Sequence, residues 1–304
     1  MSLGDAAQVA GFRAAWKLVC KLPEPAAYAL FDRIADATFR RGGKSVDRMR
    51  SNYAKIRPEL SPDELNELVR QGIRSYMTYW CDAFRLSIHT PEQLHERMRL
   101  TGADVEARAI VERGEPIILF LGHMGNWDLA GAWSTTYFAP VTTVAERLKP
   151  EELFEEFLAF REGLGMTILP LTGGDGTYPA LVEALRNGGF VPLLADRDLT
   201  SHGVEVDLLG HRIKAATGPA RLALDTGAAL FPLSVSYETL PGRGAPRVVA
   251  HFGERVRVPE GERPHQVQQM TQQCITALGD VIRTHTQDWH MMQRIFLEDF
   301  EDLR

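Results

Sequence analysis

A histidine and an aspartate, His123 and Asp128, follow a short apolar run in the stretch PIILFLGHMGNWDLAG. Five apolar residues between a proline and a glycine predict a buried strand, and ligands of parallel sheets bind beyond the carboxyl ends of the strands. His123 is therefore expected at the entrance of a site. Asp128 follows about one helical turn later, where its carboxylate could fix the imidazole tautomer and leave the other ring nitrogen to act as a base. The alternative is a histidine that caps a helix next to a surface aspartate.

Other charged residues also stand where predicted strands end. An acid that ends an apolar strand is costly without a role, so Asp196, after FVPLLA, is expected to act in the site. For the remaining charges, a role in binding substrate competes with a position on the solvated surface. These candidates are Glu146, Arg147, Arg197 and Asp198, which follow predicted strands, and Arg161, which lies on a predicted helix.

Several familiar chemistries lack their motifs in this chain. There is no GxSxG nucleophile elbow, no GK[ST] phosphate loop and no HExxH zinc motif. No residue cluster demands a metal ion. A base without a protein nucleophile indicates that the nucleophile belongs to the substrate, for instance as a hydroxyl group.

The elements that would position these residues fall into two parts. Residues up to about 113 follow a helical period, and two of the helices begin with capping boxes, at Ser61 and at Thr90. After Pro116, short apolar runs alternate with amphipathic segments. This alternation predicts an α/β fold with a mainly parallel central sheet flanked by helices. We expect a single domain over 1–304, with a helical N-terminal layer (1–113) and an α/β core (114–304).

Composition limits the class of protein. The 304 residues are 44% hydrophobic and 24% charged, which is typical of a folded protein, and the net charge of −6 argues against nucleic-acid binding. The three cysteines form no CxxC pair, so neither a disulfide framework nor a zinc knuckle is expected and a reducing compartment is favoured. We find no signal peptide and no apolar run near the ~20 residues of a membrane span.

The first helices could contact a membrane surface. Aromatic residues such as Phe12 and Trp16 stand among Arg13, Lys17 and Lys21, and the segment FRRGGKSVDRMRSNYAKIR adds a basic cluster. Basic amphipathic segments suit an anionic membrane surface. The alternative is that these helices only cover the core, and the sequence favours neither interpretation. We assign Trp127 and Trp133 to the core.

The motif around His123 resembles the H-x4-D block of the glycerolipid acyltransferase superfamily. GHMGNWD is most similar to the branch that contains bacterial lipid A acyltransferases and actinobacterial phosphatidylinositol mannoside acyltransferases. The resemblance extends to LLADRDLTSHGVEVDLLGHRIKAATGPARLALDTGAALFPLSV and to DWHMMQ near the end, and so covers most of the chain.

The resemblance implies a mechanism. His123 would deprotonate an acceptor hydroxyl, Asp128 would orient His123, and the hydroxyl would attack the thioester of acyl-CoA, a co-substrate in an enzyme without a cofactor. A downstream acid would assist, and DRD offers either Asp196 or Asp198. Backbone N–H groups at the start of the helix after His123 would stabilise the oxyanion, and Asn126 within the motif is expected to bind substrate.

The resemblance also implies the partners. The favoured acceptor is the mannose of a phosphatidylinositol mannoside, and the enzyme is expected at the cytoplasmic face of the plasma membrane as a peripheral protein. Three alternatives remain: a lipid A-type or lysolipid acyltransferase, an acyl-CoA thioesterase that activates water, and a non-catalytic acyl-lipid carrier.

Overall fold

A computed structural model describes residues 3–145, 151–171, 176–198, 202–240 and 244–301. The α-helices in these ranges are α1 (Leu3–Lys21), α2 (Glu24–Arg41), α3 (Lys44–Ile56), α4 (Pro62–Arg85), α5 (Pro91–Arg97), α6 (Asp104–Glu112), α7 (Trp127–Tyr137), α8 (Glu151–Gly163), α9 (Thr177–Arg186), α10 (Gly218–Thr226), α11 (Arg263–Thr284) and α12 (Glu298–Glu301). The strands are β1 (Met98–Gly102), β2 (Ile117–Leu121), β3 (Thr142–Ala145), β4 (Thr167–Pro170), β5 (Phe190–Leu194), β6 (Val204–Leu208), β7 (His211–Ala215), β8 (Ala229–Glu238) and β9 (Arg247–Phe252).

The central sheet has the strand order β1–β9–β8–β2–β5. All neighbours in it are parallel except β8 and β9, which confirms the expected α/β fold with a mainly parallel sheet flanked by helices. Strand β2 lies between β8 and β5, and all five of its residues are buried. Helices cover both faces of such a strand, which is why it reads as a continuous apolar run instead of an alternating one.

Strands β3 and β4 pair with each other and lie beside β5. An isolated bridge joins Val141 to Phe190, and the hydroxyl of Thr143 donates a 2.6 Å hydrogen bond to the carbonyl oxygen of Pro192. Within a strand, the N–H and C=O of one residue point to the same side, so Pro192 lacks a donor on the side that faces β3. A side-chain hydroxyl therefore replaces part of the backbone ladder at this junction.

Two parts of the sheet structure differ from the sequence-based expectation. Strand β1 lies within the stretch expected to be helical, where it adds an edge to the central sheet by pairing with β9. Strands β6 and β7 form an antiparallel hairpin that turns at Leu209 and Gly210, both with positive φ. In β6 the sequence VEVDL alternates apolar and acidic residues, and the acidic ones are exposed, so this strand carries the period-2 pattern in its sequence.

The N-terminal helices pack against the core through aromatic side chains, and two of them begin with side-chain caps. Both predicted capping boxes are present, at Ser61 and at Thr90. The ring of Trp16 in α1 contacts Phe84 of α4 and Phe160 of α8. Within the ranges given above, no helix combines the length and the apolarity needed to cross a membrane.

Candidate active site

His123 and Asp196 are brought together by strand register. Strands β2 and β5 pair in parallel with Leu121 opposite Leu194, and His123 and Asp196 each follow two residues later. The two side chains consequently leave the same edge of the sheet next to each other. Nδ1 of His123 lies 2.5 Å from Oδ1 of Asp196, and the backbone N–H of His123 donates to Oδ2 at 3.0 Å. Of the two aspartates in DRD, Asp196 is the one that meets the histidine.

The carboxylate of Asp196 determines which imidazole nitrogen is available. It is buried, at 2% side-chain exposure, and it accepts a third hydrogen bond from the indole N–H of Trp289 at 3.2 Å. Burial by itself would raise the pKa of Asp196, but the charge of His123 and the hydrogen bonds from its ring and backbone outweigh burial, so this pKa lies below its usual value. An ionised carboxylate only accepts hydrogen bonds, so Nδ1 carries the proton and Nε2 remains for a substrate.

The segment 288–293 holds the turn that carries His123. The backbone N–H of His290 donates to the carbonyl oxygen of His123 at 2.8 Å, and the N–H of Gly125 donates to the carbonyl oxygen of Asp288 at 2.8 Å. The helical layer holds this segment in turn. Tyr53 of α3 donates its hydroxyl to the carbonyl oxygen of Trp289, and the amide of Asn52 donates to two further carbonyl groups of the segment.

Gly125 is required where the turn passes the sheet. Its φ is +53°, and a Cβ placed there would lie 2.5 Å from the carbonyl oxygen of Val235 in β8. Any side chain would both strain the backbone and collide with backbone atoms that cannot move aside. The glycine therefore brings the His123 turn against β8, and does not merely leave room around the histidine.

Asp128 does not form the expected hydrogen bond to His123. Its carboxylate accepts from the hydroxyl of Tyr79 at 2.7 Å and pairs with Arg161, whose Nε and Nη2 lie 2.7 and 3.1 Å away. The Asp128 charge raises the pKa of Arg161 against the effect of burial, and burial together with Asp128 raises the pKa of Tyr79. The expectation that Asp128 orients His123 directly is thus wrong, because α7 turns its carboxylate toward α4 and α8.

The remaining predicted residues fall into three groups. Asn126 is fully buried and caps α7, with its oxygen accepting from the N–H of Leu129 and its amide donating to Asp82. Because no part of it is exposed, the expectation that it contacts substrate is wrong. Arg197 lines the cleft described below, whereas Asp198 is not among the lining residues. Glu146 and Arg147 lie outside the described residues.

An open cleft of about 400 Å³ lies beside His123. Its polar lining includes Tyr79, Asp128, Arg161, Arg197, His290 and Gln293. Its apolar lining includes Leu121, Trp127, Val141, Val144, Phe157, Met166, Leu194 and Met292. A long apolar wall next to a base and two arginines suits a ligand with an aliphatic chain and a charged or polar head.

Sequence reasoning missed several of these lining residues. Trp127, assigned to the core, is half-buried in the cleft wall with its ring edge-on to His123 at a centroid distance of 6.0 Å. His290 and Gln293 belong to the segment DWHMMQ, which resembles the family's C-terminal signature, and that resemblance was the available signal. At the start of α7, where the oxyanion donors were expected, the N–H of Leu129 is taken by the side chain of Asn126. In the described chain, no group of three or more His, Cys, Asp or Glu residues could hold a metal ion.

A buried polar chain lies behind the cleft wall. The hydroxyl of Ser75 donates to Oδ1 of Asp288 at 2.7 Å and lies 3.0 Å from Nε2 of His290. Burial raises the pKa of Asp288 to about 6. Burial, with a smaller contribution from His123, lowers the pKa of His290 to about 3. His290 therefore stays neutral beside His123.

The fold and the site agree with the resemblance to acyltransferases found in the sequence. Residues 9–298 match the family of bacterial lipid A biosynthesis acyltransferases, and the chain belongs to this family. It is therefore an acyltransferase of lipid biosynthesis.

Curated relatives give a narrower comparison. The chain is 37% identical over 303 residues to a protein of Mycolicibacterium smegmatis named phosphatidylinositol mannoside acyltransferase, covering 99% of this chain and 95% of that protein. It is also 37% identical over 298 residues to the protein of the same name in Mycobacterium tuberculosis H37Rv, covering 96% and 90%.

The different partners of the two aspartates predict different kinetic defects. Asp196→Asn should lower kcat by at least ~10²-fold with little change in KM, because the amide cannot hold the imidazole in its basic tautomer as a carboxylate does. Asp128→Asn should mainly raise KM, because Arg161 in the cleft wall loses its partner. Steady-state kinetics measure both, and Asp196→Glu should retain more turnover than Asp196→Asn. Equal kcat losses in the two Asn variants would contradict this assignment.

The buried Asp288 and His290 predict a pH dependence of stability that cancels in wild type and appears when Asp288 is replaced. Between about pH 4 and 6, this pair binds one proton in the unfolded chain, on His290, because its ordinary pKa lies above this range. In the folded protein the pair also binds one proton, but on Asp288. The number of bound protons is therefore equal in the two states, and the pair contributes no pH dependence to the free energy of unfolding. In Asp288→Asn only the histidine remains, and the unfolded chain then binds one more proton than the folded protein. Its free energy of unfolding should rise by ~1.4 kcal/mol per pH unit relative to wild type.

Urea unfolding at several pH values across this window measures the slope. Asp280→Asn, at an exposed position in α11, is the matched control and should run parallel to wild type. A parallel profile for Asp288→Asn would rule out the predicted compensation.

Proposed function

We propose that this enzyme moves a fatty acyl group from acyl-CoA to a mannose hydroxyl of a phosphatidylinositol mannoside. The observation that carries the proposal is the His123–Asp196 pair beside a cleft with an apolar wall. Asp196 contacts Nδ1 of the histidine, so Nε2 is the ring nitrogen that can meet a substrate. The names of the two relatives support the choice of acceptor.

The transfer requires one base and no covalent acyl-enzyme. Nε2 of His123 accepts the proton of the acceptor hydroxyl, and the hydroxyl oxygen attacks the thioester carbonyl carbon. The tetrahedral intermediate collapses by breaking its C–S bond, and the departing CoA sulfur takes the proton from Nε2. Asp196 stabilises the imidazolium that exists between these two proton transfers.

Two arginines provide the positive charge of the cleft. Arg161 is balanced by Asp128, which holds its guanidinium in a defined position in the wall. Arg197 directly follows Asp196 and lines the same cleft, close to where negative charge develops on the thioester oxygen. Guanidinium groups also bind phosphate well, so these residues suit the phosphates of CoA or of the acceptor lipid.

The first two helices provide a surface for peripheral membrane binding. Leu18 in α1 and Leu30 and Ile34 in α2 are 59%, 36% and 40% exposed. Lys17 directly precedes Leu18 and Lys21 follows it by three residues, so apolar and basic groups occur together on α1. Helix α1 also packs on α8, whose Phe157 lines the cleft. We therefore place this surface on the side from which a lipid acceptor enters, at the cytoplasmic membrane face where acyl-CoA is available.

The transfer itself is tested with purified enzyme, labelled palmitoyl-CoA and a phosphatidylinositol mannoside acceptor. Acylated glycolipid should form, and His123→Ala should lower its rate by at least ~10²-fold while the fold is retained. Release of free fatty acid without glycolipid product would identify a thioesterase, and transfer only to a lipid A precursor would replace the proposed acceptor. A folded His123→Ala variant with near-normal turnover would contradict the role of the base.

Membrane binding is tested by sedimentation with vesicles that contain an anionic phospholipid. Replacing Leu18, Leu30 and Ile34 together with serine should reduce the bound fraction severalfold, because these side chains provide the apolar area that enters the interface. The matched control replaces Val105 and Val258, which are 77% and 58% exposed elsewhere on the molecule. Equal loss of binding in both variants would contradict the assigned surface.

A further inference from the structure

We propose that Gly131 and Met166 close the far end of the cleft and thereby determine the length of the acyl chain that the enzyme transfers. The inference rests on the proposed function, because it assigns the apolar part of the cleft to the donor's acyl chain. Gly131 lies in α7 and Met166 directly precedes β4, and both line the cleft.

The direction of the cleft follows from the strands. His123 marks the carboxyl edge of the sheet, just past the end of β2. Val141 lies at the opposite end of β3, which spans Thr142–Ala145, and four residues of strand cover about 13 Å. Because Thr142 is paired with Thr167, Met166 is level with Val141. The cleft therefore runs from the base at the carboxyl edge to Met166 at the amino edge.

Gly131 makes room for the side chain of Met166, whose sulfur lies where the Cβ of any other residue would collide with it. It follows Trp127 by one turn of α7, on the same side of the helix, and a Cβ placed on it would lie 2.9 Å from Sδ of Met166. Its φ is not in the left-handed region, so the backbone does not require glycine there. Glycine is a poor helix former, and its presence in the middle of α7 is explained by the cleft and not by the helix.

The two positions should act in opposite directions. A methyl group at residue 131 would enter the cleft and push Met166 further into it, which shortens the space for the acyl tail. Truncation of Met166 would lengthen that space. The Met166 side chain is flexible, so Gly131→Ala can be accommodated without moving the backbone.

The experiment measures transfer from a series of saturated acyl-CoA donors, from decanoyl-CoA to stearoyl-CoA, to one fixed acceptor. Gly131→Ala should lower kcat/KM for the longest accepted donor by about tenfold relative to a donor shorter by two methylene groups. Met166→Ala should shift the preference toward longer donors. Gly163→Ala, a helical glycine of α8 with nothing within 4 Å of its Cβ, and Met270→Ala, a buried methionine outside the cleft, are matched controls and should keep the wild-type profile.

A second readout separates this inference from the proposed function. Displacement of a fluorescent fatty acid by free fatty acids of graded length reports on the cleft without any transfer. Wild type that transfers acyl groups, with unchanged length profiles in both variants, would overturn the inference and leave the proposed function standing. If wild type transfers no acyl group, the proposed function fails, and the displacement series alone decides whether residues 131 and 166 limit chain length. A shift in preference for the acceptor's acyl chains, with none for the donor's, would also overturn the inference.

Discussion

The site depends on one buried carboxylate. Asp196 accepts hydrogen bonds from the ring and backbone of His123 and from the indole of Trp289, so two parts of the chain that are far apart in sequence converge on the two oxygen atoms of a third. A buried carboxylate is stable as an anion only when such donors surround it. The ionised form accepts from Nδ1 of His123 and therefore directs Nε2 of the neutral imidazole away from Asp196. Removing any one of these donors would destabilise the ionised form of Asp196 and loosen its contact with His123.

The helical N-terminal layer is part of this arrangement and not only a cover for the core. Asn52, Tyr53 and Ser75 belong to α3 and α4, and all three bond to the segment 288–293. That segment places Trp289 against Asp196 and bonds to the backbone of His123. A displacement of the helical layer would therefore disturb the position of His123 through a continuous set of hydrogen bonds. This linkage explains how a histidine in a turn keeps its orientation without being part of a helix or strand.

One of the two arginines in the cleft is paired with a carboxylate, which limits the net charge beside the apolar wall. Arg161 lies against Asp128, and Asp128 also accepts from Tyr79, so this ion pair presents little net charge to an aliphatic chain. His290 stays neutral through burial, and Asp288 shares a hydrogen-bonded chain with it behind the wall. His123 and Arg197 follow strands at the carboxyl edge of the sheet, and aliphatic and aromatic side chains line much of the remaining cleft.

By itself, the sequence determined the fold class, the position of His123 past a buried strand and the placement of Asp196 at the same edge. These follow from local patterns, since five buried apolar residues and the strand-helix alternation are visible in the chain. Only the tertiary structure decided which carboxylate meets His123. The spacing of His123 and Asp128 is local, but the helix that begins between them turns Asp128 toward α4 and α8, whereas the register of β2 and β5 places Asp196 against the imidazole. Pairing between strands more than seventy residues apart leaves no local pattern in a single sequence, and the same holds for Trp289, which reaches the site from the far end of the chain.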